Sequence, residues 1–303
     1  LLWEPSEERI KTSNMYRFIG FINETHNLDF ADYGTLYQWS IDNIADFWAA
    51  MWKFADIKAS KPYDQVIDEV NTMPGNQWFS GARLNFAENL LRYRDDHPAL
   101  IFKGEGQALT RMTYGELYRE VARVAKSLKE VGVVPGDRVV GFMPNMPETI
   151  VAMLAATSLG AAWSSCSPDF GMKGVLDRFG QIRPKVLFTA NGYEFKGRRF
   201  DSLGPISDIL KELPSTERVV VVPYTDTAPD LSRVPHAIHY RDFKSTDKNL
   251  EIEFEQLPFN HPLYIMYSSG TTGLPKCMVQ SAGGILIHHL KELMLHTDVK
   301  RED

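Results

Sequence analysis

From residue 98 onward the chain alternates short apolar segments with segments of helical periodicity, and no other sequence feature restricts the fold as much. The short segments, rich in valine and other apolar residues, are predicted strands at 99–102, 138–143, 162–166, 185–189, 218–222 and 263–268. Helices are predicted between several of them, at 113–131, 147–159, 171–182 and 203–213. Strands that are apolar throughout are typical of a parallel sheet covered by helices on both faces. The sequence therefore predicts an α/β fold with mostly parallel β-sheets.

Single residues indicate several helix ends. Thr113 and Glu116 have the spacing of a capping box, in which each side chain accepts a hydrogen bond from the backbone amide of the other residue. Gly132 stands where a glycine commonly ends a helix, and Pro147 suits the first turn of the next one. Farther upstream, Ser40 is the predicted N-cap of an aromatic-rich helix that continues to residue 55. Its aromatic side chains are predicted to pack in a core.

The organisation of the chain changes near residue 98. Residues 1–97 contain scattered aromatic residues but no alternation of strands and helices, and are predicted to form a helical N-terminal extension. Residues 98–303 are predicted to be the first part of a larger domain, because the chain stops soon after a helical stretch. Residues 223–260 are polar and proline-rich, and are predicted to be a long surface excursion.

Composition excludes several classes of protein. The net charge is −6, whereas surfaces that bind nucleic acid or anionic membranes need an excess of lysine and arginine. No apolar run approaches the roughly 20 residues of a membrane span. The two cysteines, Cys166 and Cys277, are too few for a disulfide framework or a cysteine-rich zinc site, and no other metal-ligand set is predicted. We therefore expect a protein of a reducing compartment, the cytosol.

The segment from Tyr264 to Cys277 has the clearest chemical character. An apolar strand leads into hydroxyl side chains and glycines and ends at a lysine. Glycines let backbone amides approach an oxyanion closely, hydroxyls donate further hydrogen bonds, and the lysine supplies positive charge. The candidate phosphate ligands are Ser268, Ser269, Gly270, Thr271, Thr272, Gly273 and Lys276. The pattern predicts a loop that binds a polyphosphate.

Two familiar phosphate loops do not fit this segment. A Walker A loop has glycine before its lysine and serine or threonine after it, whereas Lys276 stands between Pro275 and Cys277. The Gly-x-Gly-x-x-Gly pattern of a dinucleotide-binding fold is absent as well. On composition alone, a Ser/Thr/Gly-rich hairpin turn without a ligand remains the alternative.

Ser268 to Lys276 resembles the phosphate-binding signature of the adenylate-forming enzymes, which include acyl-CoA synthetases, luciferases and peptide-synthetase adenylation domains. That family usually has glycine after the lysine. The sequence found here, Pro-Lys-Cys-Met-Val at 275–279, resembles that of the acetoacetyl-CoA synthetases within the family. The resemblance extends over nearly the whole chain. It includes the segments 39–54, 78–91, 136–139, 164–171 and 281–284, of which the first two resemble the N-terminal extension of acetyl-CoA synthetases.

The resemblance implies an activity, cofactors and further site residues. It implies ATP-dependent ligation of acetoacetate to coenzyme A through an acyl-adenylate, with Mg²⁺ on the phosphates and a role in lipid and ketone-body metabolism. The candidate phosphate ligands would then hold ATP, with Thr271 and Lys276 as catalytic residues. Gly197 and Arg198 match positions that contact coenzyme A, although Phe195 replaces a second arginine of that pattern.

Alternatives within and beyond this family stay open. The acid substrate of the ligase is acetoacetate, acetate or another short-chain acid. The family has its adenine, ribose, metal and C-terminal lysine motifs farther along than residue 303, so this chain is expected to be an N-terminal fragment that is inactive alone. A nucleotide-binding chain without turnover is the second hypothesis. Small molecules are the expected partners, and the sequence gives no oligomeric state.

Overall fold

The computed structural model describes residues 2–268 and 273–303. The chain divides into two compact units. The first unit comprises the residues up to Leu84 together with Pro258–Asn260 and Ala282–Asp303. The second unit comprises Asn85–Leu257 and His261–Ser281.

Helices and strands occur in both units. The helices are α1 (Glu7–Thr12), α2 (Asn14–His26), α3 (Tyr33–Asp42), α4 (Ile44–Phe54), α5 (Phe86–Leu90), α6 (Tyr114–Glu130), α7 (Pro147–Ser158), α8 (Met172–Ile182), α9 (Leu203–Lys211), α10 (Tyr240–Phe243) and α11 (Ala282–Lys291), with a π-helical turn at Glu292–His296. The strands are β1 (Gln65–Ile67), β2 (Trp78–Ser80), β3 (Arg83–Leu84), β4 (Pro98–Phe102), β5 (Thr110–Thr113), β6 (Arg138–Phe142), β7 (Ala162–Cys166), β8 (Val186–Ala190), β9 (Gly192–Phe195), β10 (Arg198–Asp201), β11 (Arg218–Val222), β12 (Ala237–His239), β13 (Leu257–Pro258), β14 (Pro262–Ser268) and β15 (Lys276–Ser281). None of the helices in the described residues combines the length and the apolar character that a membrane span requires.

The second unit is built on one large sheet. Within the described residues, seven strands form this sheet in the order β12, β11, β8, β6, β7, β14, β15. Neighbouring strands run parallel except in the β14–β15 hairpin, which is antiparallel. The predicted α/β fold with a mostly parallel sheet is therefore confirmed.

Helices cover both faces of this sheet. Val139 and Val140 are neighbours on β6 and are both fully buried, yet they belong to different cores. Val139 packs with residues of α6 and α7, whereas Val140 packs with residues of α8 and α9. Because successive side chains of a strand face opposite sides, a sheet covered on both faces favours strands that are mostly apolar along their whole length.

The helix ends predicted from single residues are confirmed for α6 and α7. The Thr113 amide donates to Glu116 Oε2 at 2.8 Å, and the Glu116 amide donates to Thr113 Oγ1 at 3.2 Å. Gly132 follows the end of α6 with a φ of +78°, and Pro147 is the first residue of α7.

Ser40 is not a helix N-cap, so that prediction is wrong. It lies inside α3, where its hydroxyl donates to the carbonyl of Tyr37 at 2.7 Å. The helix begins earlier because the Asp32 side chain accepts from the Thr35 amide, and Asn43 then separates α3 from α4. The aromatic periodicity predicted one helix, but the non-helical backbone of Asn43, with φ −125° and ψ +57°, divides it.

Two segments of the second unit differ from the prediction. The strand predicted at 99–102 lies outside the large sheet and forms a two-stranded hairpin, β4 with β5. The surface excursion predicted at 223–260 contributes β12, which pairs in parallel with β11 at one edge of the sheet. This strand was not predicted, because it has only three residues and lies in a polar segment.

The first unit packs around aromatic side chains, as predicted for Trp52 and Phe54. Trp52 stacks on Phe79 with ring centres 4.8 Å apart, and Phe79 lies at the same distance from Phe259. On α2, the buried Phe18 meets the ring of Phe54 edge-on at 5.0 Å. Aromatic pairs in these geometries contribute stability beyond the apolar area that they bury.

Candidate active site

The predicted phosphate loop lies between the two strands of the β14–β15 hairpin. Ser268 lies directly opposite Lys276 across these strands, and Tyr267 lies opposite Cys277. Antiparallel pairing therefore fixes the backbone where the loop begins and ends. Gly273 has a φ of +93°, and a Cβ atom added there would meet nothing within 4 Å. This glycine is favoured by the backbone conformation and not by close packing.

Four of the predicted phosphate ligands, Ser269, Gly270, Thr271 and Thr272, lie outside the described residues. Their assignment rests on the sequence motif alone. The other three predicted ligands, Ser268, Gly273 and Lys276, lie at or beside the ends of the hairpin strands. The structure thus brings the serine and the lysine of the motif together, although they are far apart in the loop sequence.

The hairpin places this loop at the carboxyl edge of the parallel sheet. β14 runs parallel to β7, so its last residue, Ser268, lies at the same edge as the carboxyl ends of the other parallel strands. Ligands of open α/β sheets bind outside this edge, where loops and helix N-termini present amides. The position of the loop is therefore that of a ligand site.

Lys276 is exposed and carries the positive charge of the loop. Within residues 2–268 and 273–303, no hydrogen bond or ion pair joins its ammonium group to another side chain. Most other lysines of the second unit pair with a carboxylate, as Lys173 does with Asp177 at 2.8 Å. An unpaired lysine beside a loop rich in glycine and hydroxyl groups is available to an anionic ligand.

Helix α8 contacts the hairpin beside the loop. The side-chain amide of Gln181 donates to the carbonyl of Pro275 at 2.9 Å, and its oxygen lies 3.6 Å from Cys277 Sγ. The guanidinium of Arg178 lies over the rings of Phe170 and Tyr267, at 4.4 Å and 5.6 Å from their centres. Neither residue is predicted from the sequence, because a single glutamine or arginine on a helix forms no recognisable motif.

Tyr267 is held in its neutral form beside the loop. Burial raises the pKa of Tyr267 to about 12. Ser164 lies 3.3 Å from its hydroxyl and donates to the carbonyl of Ile265 at 2.6 Å, which ties β7 to β14. A phenol with this pKa is not a general base near neutral pH, so its role is packing and hydrogen bonding.

Gly197 and Arg198, the predicted coenzyme A contacts, lie on the β9–β10 hairpin. Lys196 and Gly197 form its turn with φ values of 52° and 73°. The Glu105 carboxylate accepts hydrogen bonds from both of their backbone amides. Arg198 is exposed, whereas the neighbouring Arg199 pairs with Glu194 at 2.8 Å. Glu105 therefore fixes the turn from which Arg198 extends, and no sequence motif marks this glutamate.

The two hairpins lie at the same edge of the sheet. β9 follows the carboxyl end of β8, and the loop follows the carboxyl end of β14. Strands β6 and β7 separate β8 from β14, which places these strand ends about 14 Å apart at the usual strand spacing. A ligand as long as coenzyme A can extend between two such points.

Comparison with known proteins identifies the family. The model of the AMP-binding enzyme family matches residues 86–302. The chain belongs to this family. A second model, that of the acetyl-coenzyme A synthetase N-terminus, matches residues 33–90. The resemblance to adenylate-forming enzymes that was noted in the sequence is confirmed.

Individual relatives of this chain have more specific names. Acetoacetyl-CoA synthetase from Danio rerio is 45% identical over 314 residues, which cover 100% of this chain and 46% of that protein. Acetoacetyl-coenzyme A synthetase from Rhizobium meliloti is 44% identical, covering 99% of this chain and 46% of that protein. The structure of acetoacetyl-CoA synthetase from Streptomyces lividans superposes with a TM-score of 0.92 at 43% identity, covering 98% of this chain and 46% of that one. The chain thus spans about half the length of these relatives.

Proposed function

We propose that this chain forms the nucleotide-binding part of an enzyme that joins acetoacetate to coenzyme A at the expense of ATP. The observation that carries the proposal is the loop closed by Ser268 and Lys276 at the carboxyl edge of the sheet, in a chain of the AMP-binding enzyme family. The names of its relatives support acetoacetate as the acid. Acetate or another short-chain acid is the alternative within the same reaction class.

The first step forms the acyl-adenylate. A carboxylate oxygen of the acid attacks the α-phosphorus of ATP, a new oxygen–phosphorus bond forms, and the bond to the bridging oxygen breaks with its electron pair leaving on pyrophosphate. No side chain has to remove a proton, because a carboxylic acid is ionised at neutral pH. Instead, the attack of an anion on a polyanion requires positive charge and oriented donors. Lys276 supplies the charge, with Thr271 as the second catalytic residue proposed from the motif.

The second step transfers the acyl group to sulfur. The thiol of coenzyme A attacks the acyl carbonyl, loses its proton, and displaces AMP with the electron pair of the carbon–oxygen bond. Gly197 and Arg198 are the proposed contacts of coenzyme A in this chain. Arg198 is exposed on a turn that Glu105 fixes, which suits an arginine that binds a phosphate.

Mg²⁺ is proposed to enter with the nucleotide and to neutralise part of the phosphate charge. Within the part of the chain that the structure describes, no three His, Cys, Asp or Glu side chains are arranged to hold a metal ion. The described residues therefore do not fit a resident metal site, and no step is assigned to one.

The cytosol is the proposed location. Cys166 and Cys277 are both free thiols, one buried and one exposed. Unpaired cysteines are typical of proteins in reducing compartments.

Two assays test this function. Titration calorimetry of the whole protein with MgATP is expected to show binding, and absence of binding would overturn the proposal. For the whole protein, pyrophosphate release is expected to depend on the added acid and to be faster with acetoacetate than with acetate. A preference for acetate would replace the acid substrate without changing the reaction class.

Nucleotide binding without turnover is the second candidate for this chain by itself. The observation that favours it is that the chain spans 46% of the length of its relatives. ATP binding combined with no acid-dependent pyrophosphate release from this chain would support it. Turnover by this chain alone would exclude it.

A further inference from the structure

The side chain of Gln181 contacts the residues on both sides of Lys276. Its Nε2 donates to the carbonyl oxygen of Pro275 at 2.9 Å. Its Oε1 lies 3.6 Å from the thiol sulfur of Cys277, which is within the range of a weak S–H donor. One amide group therefore holds the backbone before the lysine and the side chain after it.

Strand geometry explains how this contact leaves Lys276 free. Adjacent residues of β15 point to opposite faces of the hairpin, so Cys277 faces α8 and Lys276 faces away from it. The cross-strand partner of Cys277, Tyr267, packs against the core on the α8 side. Anchoring Cys277 and Pro275 to the helix thus orients the lysine between them without contacting it.

Helix α8 is a rigid support for this contact. Val175 and Phe179 are fully buried in the core beneath the helix. At the end of the helix, the Arg138 guanidinium donates to the carbonyls of Ile182 and Arg183 at 2.6 Å and 3.0 Å. Because the helix is packed along its length and bound at its end, Gln181 has a fixed position from which to hold the loop.

We propose that Gln181 is a positioning residue that aims the ammonium group of Lys276 at the phosphates of the bound nucleotide. This inference rests on the proposed function, because it requires ATP at the loop. It also gives a physical role to Cys277, which stands where the family pattern has glycine: its thiol is the second point of attachment to α8. The energetic effect is that Lys276 needs less ordering when the anion binds.

The variant that tests this is Gln181→Leu, which keeps the approximate size of the side chain and removes its polar contacts with Pro275 and Cys277, together with its hydrogen bond to the Asp177 carbonyl in the same helix. We expect ATP affinity, measured by calorimetry with MgATP, to fall about fivefold to tenfold. Lys276→Ala should lower the ATP affinity less in the Gln181→Leu background than in the wild type, because a misaligned lysine contributes less to ATP binding. A matched control is Gln107→Leu, since Gln107 also donates to a backbone carbonyl, that of Tyr224 at 3.1 Å.

A second readout needs no nucleotide. Gln181→Leu should increase the rate at which iodoacetamide alkylates Cys277, followed by mass spectrometry, whereas Gln107→Leu should not. Unchanged ATP affinity in Gln181→Leu, or strictly additive effects of the two substitutions, would overturn the positioning role while wild-type binding still supports the proposed function. An unchanged alkylation rate would also overturn it. Absence of ATP binding by the wild type would instead overturn the proposed function, and the positioning role with it.

Discussion

Ser268 and Lys276 face each other as the last cross-strand pair before the phosphate loop. Seven residues separate them in the sequence, yet the sheet brings their backbones to the distance of neighbouring strands. The loop therefore has a fixed base, formed by an edge hairpin of the large sheet. Because this base is held by strand pairing, Ser268 and Lys276 need little further ordering when an anion binds.

Lys276→Ala is expected to weaken ATP binding by about tenfold or more, because a charge-assisted hydrogen bond contributes about 1.5–3 kcal/mol. The melting temperature should not change, since Lys276 is exposed and pairs with no described residue. Calorimetry and thermal unfolding measure the two effects. Lys211→Ala is the control, because Lys211 is exposed and pairs with Asp208 at 2.7 Å on α9. Equal losses of affinity in the two variants would contradict a specific phosphate contact.

Glu105→Ala is expected to weaken coenzyme A binding about threefold to tenfold and to leave ATP binding unchanged. The substitution removes the acceptor for the amides of Lys196 and Gly197, so the turn that presents Arg198 loses its support. Separate titrations with coenzyme A and ATP distinguish the two ligands. Glu130→Ala removes an exposed carboxylate that pairs with Lys126 on α6 and serves as the control. A parallel loss of ATP affinity would show that the effect is not local to the hairpin.

Asn85→Ala is expected to destabilise the second unit by about 2–4 kcal/mol. The Asn85 side chain is fully buried and donates to the carbonyls of Thr157, Ser158 and Glu255 at 3.2, 3.0 and 2.8 Å. Removing it leaves these carbonyls without their donor. Urea unfolding measures the change in free energy, and Asn145→Ala, at an exposed position, should change it by less than about 0.5 kcal/mol. A small effect at Asn85 would mean that water replaces the lost donor.

Thiol reagents are expected to modify Cys277 well before Cys166. Cys277 is exposed, whereas Cys166 is buried and desolvation raises its pKa to about 11. Because the thiolate is the reactive form, the buried thiol should stay unmodified until the protein unfolds. Mass spectrometry after brief alkylation identifies the site, and MgATP should slow the labelling of Cys277. Faster labelling of Cys166 would contradict the burial seen in the structure.

The stability of the Glu148→Gln variant, compared with that of the wild type at the same pH, is expected to increase as the pH rises. Burial raises the pKa of Glu148, and the nearby Lys244 opposes this shift in part. The folded state therefore holds the proton more tightly than the unfolded chain does. The stability that this provides is present below the ordinary carboxyl pKa and is lost as the pH rises through the raised value.

The measurement is the melting temperature of wild type and variant between pH 4 and pH 7. The melting temperature of Glu148→Gln minus that of the wild type should increase as the pH increases. Glu212→Gln, at an exposed position after α9, should show no such trend. A difference that is constant with pH would contradict the raised pKa.

The local sequence determined the elements of the second unit and the chemical character of its loop. Apolar segments separated by helical periodicity predicted β6, β7, β8 and β11, because strands buried on both faces are mostly apolar. The Thr113–Glu116 pair set the start of α6 through contacts between residues three apart. The glycines, hydroxyl groups and lysine of the loop likewise specify an anion site by their own chemistry.

Only the tertiary structure decided which of these elements meet. The strand β4 has the apolar character of the central strands, but it pairs with β5 in a separate hairpin. The short β12 joins the large sheet although its surroundings are polar. Gln181 reaches the neighbours of Lys276 from a helix almost a hundred residues earlier, and no local pattern marks it. Pairing and side-chain contacts of this kind depend on the summed packing of distant segments, so no short stretch of sequence contains them.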